Sequence, residues 1–201
     1  PAPPAETLRA NPANSGKFPH WRPIRGGVSA DGQHGFTMGY LEIEGGQPDR
    51  AKRRYLAYWV KGSDGWRVAA LKQALQAKDE VVVPMQAAAL PARLVAPDPS
   101  QTPGHLQSLM AAEKAFSDRA QQVGLHQAFQ EYGREDAIHI FGRTGFRVGL
   151  KAIGDPDGQP VAPPGPAPVH WSASQAFVAS SGDLGVNIGE ISQTPPAVRP
   201  K

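Results

Sequence analysis

Residues 20–41 read HWRPIRGGVSADGQHGFTMGYL, and residues 170–191 read HWSASQAFVASSGDLGVNIGEI. The two stretches align without a gap at an offset of 150 residues. The identical positions are a His-Trp pair, a valine and three glycines: His20, Trp21, Val28, Gly32, Gly35 and Gly39 in the first, and His170, Trp171, Val178, Gly182, Gly185 and Gly189 in the second. A repeat of this kind decides the fold, because both copies are expected to build the same local structure.

Each copy is predicted to form a bent β-hairpin. The turn is Ala30-Asp31-Gly32-Gln33 in the first copy and Ser180-Ser181-Gly182-Asp183 in the second, and the glycine supplies the positive φ that a short hairpin needs. The glycine inside the second strand, Gly39 or Gly189, indicates a bulge or bend of the type that curls a sheet.

Further β-structure is predicted around the first copy. Strands are expected near residues 18–30, 34–45, 52–62 and 65–73, because apolar and aromatic residues there are bounded by turn residues. Residues 74–101 are rich in alanine and proline and are predicted to be a linker, with Val81-Val82-Val83 as a short extra strand.

Helices are predicted before the second copy. Thr102 is the expected N-cap and Pro103 the first helical residue, and an apolar stripe continues to Gly124, which ends the helix. A second helix is expected over Leu125–Tyr132, followed by a turn and a strand at 138–141. A short helix near 146–153 and a loop at 154–168, a candidate pocket flap, complete the pattern.

Composition excludes several classes of function. The chain has no cysteine, so a disulfide framework, a thiolate metal site and a cysteine nucleophile are excluded. The net charge is +3, and the basic run Lys52-Arg53-Arg54 is interpreted as a solvated strand edge, so no nucleic-acid partner is predicted. Neither a membrane span, a G-x-S-x-G serine elbow, a metal site nor a cofactor is predicted. The Pro/Ala-rich start favours a periplasmic or secreted location.

Several segments resemble the nuclear transport factor 2-like superfamily, which includes ketosteroid isomerases and SnoaL-like cyclases. Residues 109–116 are similar to its first-helix signature, and residues 132–138 to the exit from its second helix. Residues 181–189 are similar to a SnoaL-like hairpin, and residues 58–68 to the closing hairpin. The resemblance implies an α+β fold in which a curved antiparallel sheet wraps on helices and encloses a conical apolar pocket.

The resemblance also predicts the domain organisation. Residues 1–73 are expected to be the C-terminal part of a first cone, residues 74–101 the linker, and residues 102–201 the N-terminal part of a second. Both copies are then incomplete, and a truncated tandem, a permuted single domain and an intertwined dimer remain open. Incomplete cones expose strand edges, so a homo-oligomer or completion by a second copy is expected.

The function predicted is a binding module for a small apolar molecule, non-catalytic or weakly catalytic. Aromatic residues in both copies are candidates for the pocket wall: Phe116, Tyr132, Phe141, Trp171, Tyr58 and Trp21. Core packing is the alternative role of the tryptophans and of Tyr58.

An isomerase or cyclase is the alternative, and whether the protein is an enzyme is left open. Glu113 and His139 would then transfer the proton. The isomerases place an aspartate base where this chain has Ile140 or Phe141, and an oxyanion tyrosine where it has Glu113. Glu113 is otherwise a half-buried glutamate hydrogen-bonded to a neighbouring strand or helix end, and His139 a surface or hydrogen-bonded histidine. A third hypothesis is an assembly protein whose sheet edges pair with another chain.

Overall fold

The computed structural model describes residues 19–43, 51–142, 145–154 and 165–193. The chain divides into two compact units. Among the described residues, unit 1 comprises those up to Ser100, Ile140–Phe146 and Ala179–Leu184, and unit 2 comprises Gln101–His139, Arg147–Val178 and those from Gly185 onward.

The described elements form groups of strands and groups of helices along the chain. In chain order they are β1 (Pro19–Val28), β2 (His34–Ile43), β3 (Lys52–Gly62), β4 (Gly65–Leu75), α1 (Thr102–Val123), α2 (Leu125–Tyr132), β5 (Ile138–Gly142), β6 (Gly145–Val148), α3 (Leu150–Gly154), β7 (Val169–Val178) and β8 (Gly185–Gln193). None of the described helices is both long and apolar enough to cross a membrane.

Unit 1 is built on an antiparallel sheet with the strand order β1-β2-β3-β4. The four predicted strands agree with these bounds to within two residues. The turns between β1 and β2 and between β3 and β4 are ones that the local sequence specifies. In the β3-β4 turn, Gly65 adopts a φ of 102°, which side chains rarely tolerate. The inner side of the sheet buries Leu41, Tyr55 and Ala57, with Trp59 packed against them.

The predicted linker 74–101 contains residues that bond to the outer edge of β1. The Gln86 N–H donates to the carbonyl of Ile24 at 2.7 Å, and the Ala89 N–H donates to Gly26 at 2.9 Å. Val81–Val83 form no strand, so that prediction is wrong. Proline-punctuated sequence cannot sustain a ladder, and isolated hydrogen bonds cover the edge instead.

Arg54 is buried, which corrects the interpretation of the basic run as a solvated edge. Its Nη1 donates to the Ile140 carbonyl at 2.6 Å and its Nη2 to the Leu75 carbonyl at 2.8 Å. Its Nε lies 3.4 Å from Oε2 of Glu80, whose side chain has no exposed area. A buried guanidinium needs such partners, because desolvating a charge is costly unless it is paired.

Unit 2 places α1 against β7 and β8. The Trp171 N–H donates to Oγ of buried Ser117 at 3.1 Å, and Nε2 of Gln121 donates to the Val169 carbonyl at 2.8 Å. The buried core here contains Ala120 of α1, Ala128 of α2 and Ala167, with Trp171 of β7 packed against them. A helix packed on antiparallel strands confirms the α+β class.

Two helix boundaries differ from prediction. Helix α1 begins at Thr102 with Gln101 as N-cap and no side-chain capping bond, so Thr102 is the first helical residue. The helix predicted near 146–153 is shorter and later, because Phe146 belongs to β6 and the helix spans Leu150–Gly154. Residues 155–164 of the predicted loop lie outside the described residues.

The hairpins β1-β2 and β7-β8 have the same register at the 150-residue offset. Trp21 pairs with Leu41 and Trp171 with Ile191, and each register shifts at the equivalent step, Pro23/Arg25 or Ala173/Gln175. The turn glycines, Gly32 and Gly182, have φ values of 65° and 73°. The repeated sequence therefore builds the same bulged hairpin twice.

Candidate functional site

A cleft of about 750 Å³ lies in unit 2. Its wall is formed by the C-terminal end of α1, by α2, by one residue each of β5 and β6, by the end of α3 and by residues 165–168. Segments from different parts of the chain thus meet around one opening, the kind of concavity in which proteins bind small molecules.

Much of the cleft wall is apolar. The apolar side chains come from the three helices and from residues 165–168: Val123, Leu125, Phe129, Ile153, Pro166, Ala167 and Pro168. Phe129 also belongs to an aromatic cluster with Phe116, whose ring lies 5.1 Å from it centroid to centroid in edge-to-face geometry. The cleft wall is therefore backed by a packed aromatic core.

Basic side chains contribute to the same wall, His126, His139 and Arg147 among them. The ring of His139 lies 6.1 Å from the ring of Phe129, centroid to centroid. Nδ1 of His126 is buried and has no hydrogen-bond partner among the described residues. This nitrogen packs beside Gly154, where an added Cβ would lie 2.8 Å from it.

Gly154 explains how α3 reaches the cleft. A Cβ placed there would lie 2.6 Å from Cε1 of His126 and 2.5 Å from Nε2 of Gln130, closer than real Cβ atoms approach other atoms. A side chain at this position would have to displace the ends of the His126 and Gln130 side chains.

An ion pair between α1 and α2 also lines the cleft. Nε and Nη2 of Arg119 donate to the two carboxylate oxygens of Glu131 at 2.7 and 3.0 Å. The Arg119 hydrogen bond, followed by one from Gln127, lowers the pKa of Glu131 to about 2. Glu131 therefore stays ionised and keeps the charge of Arg119 neutralised over the ordinary pH range.

Of the two candidate proton-transfer residues, only His139 lines the cleft. Glu113 is half-buried and accepts a hydrogen bond from Nδ2 of Asn187 on β8 at 3.0 Å. This is the arrangement of a glutamate bonded to a neighbouring strand.

Three predicted pocket aromatics of unit 2 come together, but not in the cleft. The ring of Phe116 lies 5.4 Å from that of Tyr132 in a stacked arrangement and 4.8 Å from that of Trp171 edge to face. Phe116 and Trp171 pack on the buried alanine core, and Tyr132 is 46% exposed. The side chain of Phe141 lies outside the described part of the structure.

The two predicted aromatics of unit 1 have separate surroundings. Trp21 is 42% exposed and packs edge to face on Tyr55, with ring centroids 4.6 Å apart. Tyr58 is buried, and its hydroxyl lies 2.8 Å from Nδ1 of His34. Burial, and then the negative charges of Asp31 and Asp183, raise the pKa of Tyr58 above its ordinary value.

Sequence reasoning missed His126 and Arg147 as cleft residues. His126 follows Gly124 closely and precedes Phe129 by three residues, so it shares a helix face with an apolar residue. That spacing is the one signal that could have indicated it. Arg147 is a lone basic residue in a strand and carries no comparable signal.

Within the described residues, no group of three or more His, Asp and Glu side chains is placed to hold a metal ion. Comparison of the chain with protein-family models, curated proteins and solved structures gave no match.

Proposed function

We propose that the cleft of unit 2 binds a small, largely apolar molecule with one acidic group, and that the protein acts as a binding module. The observation that supports this most directly is the combination of an apolar wall with basic side chains in it, His126 among them. An acidic group of the ligand would accept a hydrogen bond from the His126 ring, while rings or alkyl chains would cover Phe129 and Ile153.

We further propose that the two hairpins belong to tandem copies of a nuclear transport factor 2-like cone. Their shared register and shared bulge position support the proposal. The family's frequent use of an apolar pocket agrees with a ligand-binding role, although a fold by itself does not specify a function.

The binding proposal is testable with two probes that differ by one charge. 8-Anilinonaphthalene-1-sulfonate and N-phenyl-1-naphthylamine share their rings, but only the first carries an anionic group. Calorimetric titration is expected to give saturable one-to-one binding of both. His126→Leu is expected to weaken binding of the sulfonate by about tenfold and binding of the neutral amine by less than about twofold.

Filling the cleft is the complementary test. Ile153→Trp adds bulk to the wall and is expected to weaken both probes by about tenfold or more, whereas Leu90→Trp, at a residue 70% exposed in unit 1, is expected to leave affinity unchanged. Equal affinities in wild type and both variants, or absence of saturable binding, would refute the proposed site.

Proton-transfer chemistry with Glu113 and His139 is the competing proposal. It requires both groups to face one ligand, and the bond from Asn187 to Glu113 favours a structural role for the carboxylate. Glu113→Gln keeps an acceptor for Asn187 and is expected to leave probe affinity unchanged. An isomerisation activity that this substitution abolishes would replace binding with catalysis as the function.

A further inference from the structure

Strands β2 and β8 are equivalent in the two hairpins, but they differ in pairing on the side that faces away from the hairpin partner. In unit 1, β2 is paired on that side by β3, with Gly39 opposite Tyr55 and Tyr40 opposite Arg54. Strand β8 has β7 as its sheet neighbour, and no further strand pairs with it among the described residues.

Exposure follows this difference. Leu41 in β2 is 3% exposed, because Tyr55 and Ala57 of β3 pack with it. Its equivalent in β8, Ile191, is 70% exposed. Gly189 and Glu190 are likewise exposed, whereas Gly39 and Tyr40 are buried. An apolar side chain on an open strand edge is a site at which another strand can add.

We propose that the outer edge of β8, from Gly189 to Gln193, binds an antiparallel strand with the chemistry of β3, basic at one end and aromatic in the middle. The occupant follows from the shared register of the two hairpins. Shifted by 150 residues, the β2-β3 register sets an arginine, the counterpart of Arg54, opposite Glu190.

Side-chain chemistry agrees with this register. Directly opposite residues of antiparallel strands share a face, so Glu190 and the incoming arginine form a cross-strand ion pair. The next position brings a tyrosine, the counterpart of Tyr55, over Gly189, as Tyr55 lies opposite Gly39 in unit 1. An aromatic ring over an edge glycine covers backbone that the glycine leaves bare.

The test uses the full chain and a synthetic peptide of residues 51–76, which carries the β3 and β4 sequences. Fluorescence anisotropy of the labelled peptide is expected to show saturable binding. Ile191→Lys is expected to weaken it by about tenfold or more. The matched control is Leu75→Lys, because Leu75 is 52% exposed on β4, an edge strand of the unit 1 sheet. This substitution is expected to change peptide affinity by less than about twofold.

Charge reversal tests the register. Glu190→Lys is expected to weaken binding of the wild-type peptide. A peptide carrying Arg54→Glu is expected to bind the wild-type protein weakly and the Glu190→Lys variant well. Equal urea midpoints for the variants show that their folds are intact. Recovery by the reversed pair supports the stated register, and its absence overturns it.

Three outcomes would overturn the proposal as a whole. Peptide binding that Ile191→Lys leaves unchanged would remove β8 as the site. If Leu75→Lys weakened peptide binding instead, the binding site would be the edge of β4. Sedimentation of the protein alone as a dimer that Ile191→Lys dissociates would show that a second copy, and not a β3-like strand, occupies the edge.

Discussion

Asp31 and Ser181 exchange hydrogen bonds within unit 1. The Asp31 N–H donates to Oγ of Ser181, and the Ser181 N–H donates to Oδ2 of Asp31, each at 3.3 Å. The two residues are 150 positions apart and occupy equivalent places in the two hairpin turns. The contact is therefore reciprocal, as it would be across a two-fold axis in a dimer.

Asp31 is the centre of this contact. It is 5% exposed, and its carboxylate also accepts hydrogen bonds from Oγ of Ser29 at 2.6 Å and from Oγ of Ser180 at 2.7 Å. The Gln33 N–H adds a bond at 2.9 Å. A buried carboxylate with this many donors is satisfied only in its ionised form.

Replacing this carboxylate by an amide is expected to destabilise the protein. Asp31→Asn sets an NH₂ group against donors that need an acceptor, and the free energy of unfolding in urea should fall by about 2 kcal/mol. Asp64→Asn is the control, since Asp64 is exposed and its ion pair with Arg67 lies at the surface, where loss of the pair costs about 0–1 kcal/mol. Equal losses in the two variants would contradict the structural role of Asp31.

Stability is expected to depend on pH through the same group. Burial would raise the pKa of Asp31, but the hydrogen bonds from Ser29, Gln33, Ser180 and Ser181 outweigh it and lower the pKa from 3.8 to about 2. Because the folded pKa is the lower one, the contribution is fully present above pH 3.8 and is lost as the pH falls through about 2.

The shift corresponds to about 2 kcal/mol of folding free energy. Urea unfolding followed between about pH 5 and pH 2 should show this loss in the wild type, with a smaller slope in Asp31→Asn. A variant that loses stability as steeply as the wild type over this range would show that other groups are responsible.

The two strand glycines are expected to tolerate no side chain. A Cβ at Gly39 would lie 2.2 Å from the Arg22 carbonyl oxygen, and one at Gly189 would lie 1.9 Å from that of Ser172. Because backbone atoms cannot move aside cheaply, alanine at either position should cost about 2–4 kcal/mol in thermal or urea unfolding.

Gly104 provides the matched comparison for these substitutions. It lies in α1, and a Cβ there would meet nothing within 4 Å. Gly104→Ala should leave stability unchanged or raise it by about 0.5–1 kcal/mol, since alanine favours the helix. A similar loss at Gly104 and Gly39 would mean that the close approach at the bulge is not the cause.

Ser117 is expected to stabilise the packing of α1 on β7. Its Oγ accepts a hydrogen bond from the backbone N–H of Trp171. Ser117→Ala leaves that part-buried donor without this acceptor, at a cost of about 1–3 kcal/mol. Ser108 is an exposed serine on the same helix that bonds to the Gly104 carbonyl, so Ser108→Ala should change stability by less than about 0.5 kcal/mol. Tryptophan fluorescence during urea unfolding reports the stability of both variants.

Local sequence signals predicted the elements well. The strands of unit 1 and helices α1 and α2 agree with expectation because their boundaries are set by neighbouring residues, such as the turn glycine Gly65 and the helix-ending Gly124. The helix near 146–153 was misplaced, because whether Phe146 continues a strand depends on pairing and not on local propensity.

The candidate site was less accessible to sequence reasoning. His139 was predicted as a candidate for proton transfer, and it does line the cleft. Phe116 and Trp171 were predicted to line the pocket because they are aromatic. In the sequence, however, a ring that packs in a core has the same local pattern as one that faces a ligand. His126 had to be found in the structure, because the cleft wall combines α2 with α3 and with residues 165–168, which are far apart in the sequence.

By itself, the amino-acid sequence determined the repeated hairpin, its turn glycines and the strands of unit 1, because each depends on backbone preferences and periodicity over a few residues. The α+β class was expected from the family resemblance. Only the tertiary structure decided that Arg54 is buried with Glu80, that Asp31 bonds to Ser181 and that His126 and Arg147 share a cleft. These relations join residues far apart along the chain, and their energies arise from burial and partner geometry that no short stretch of sequence contains.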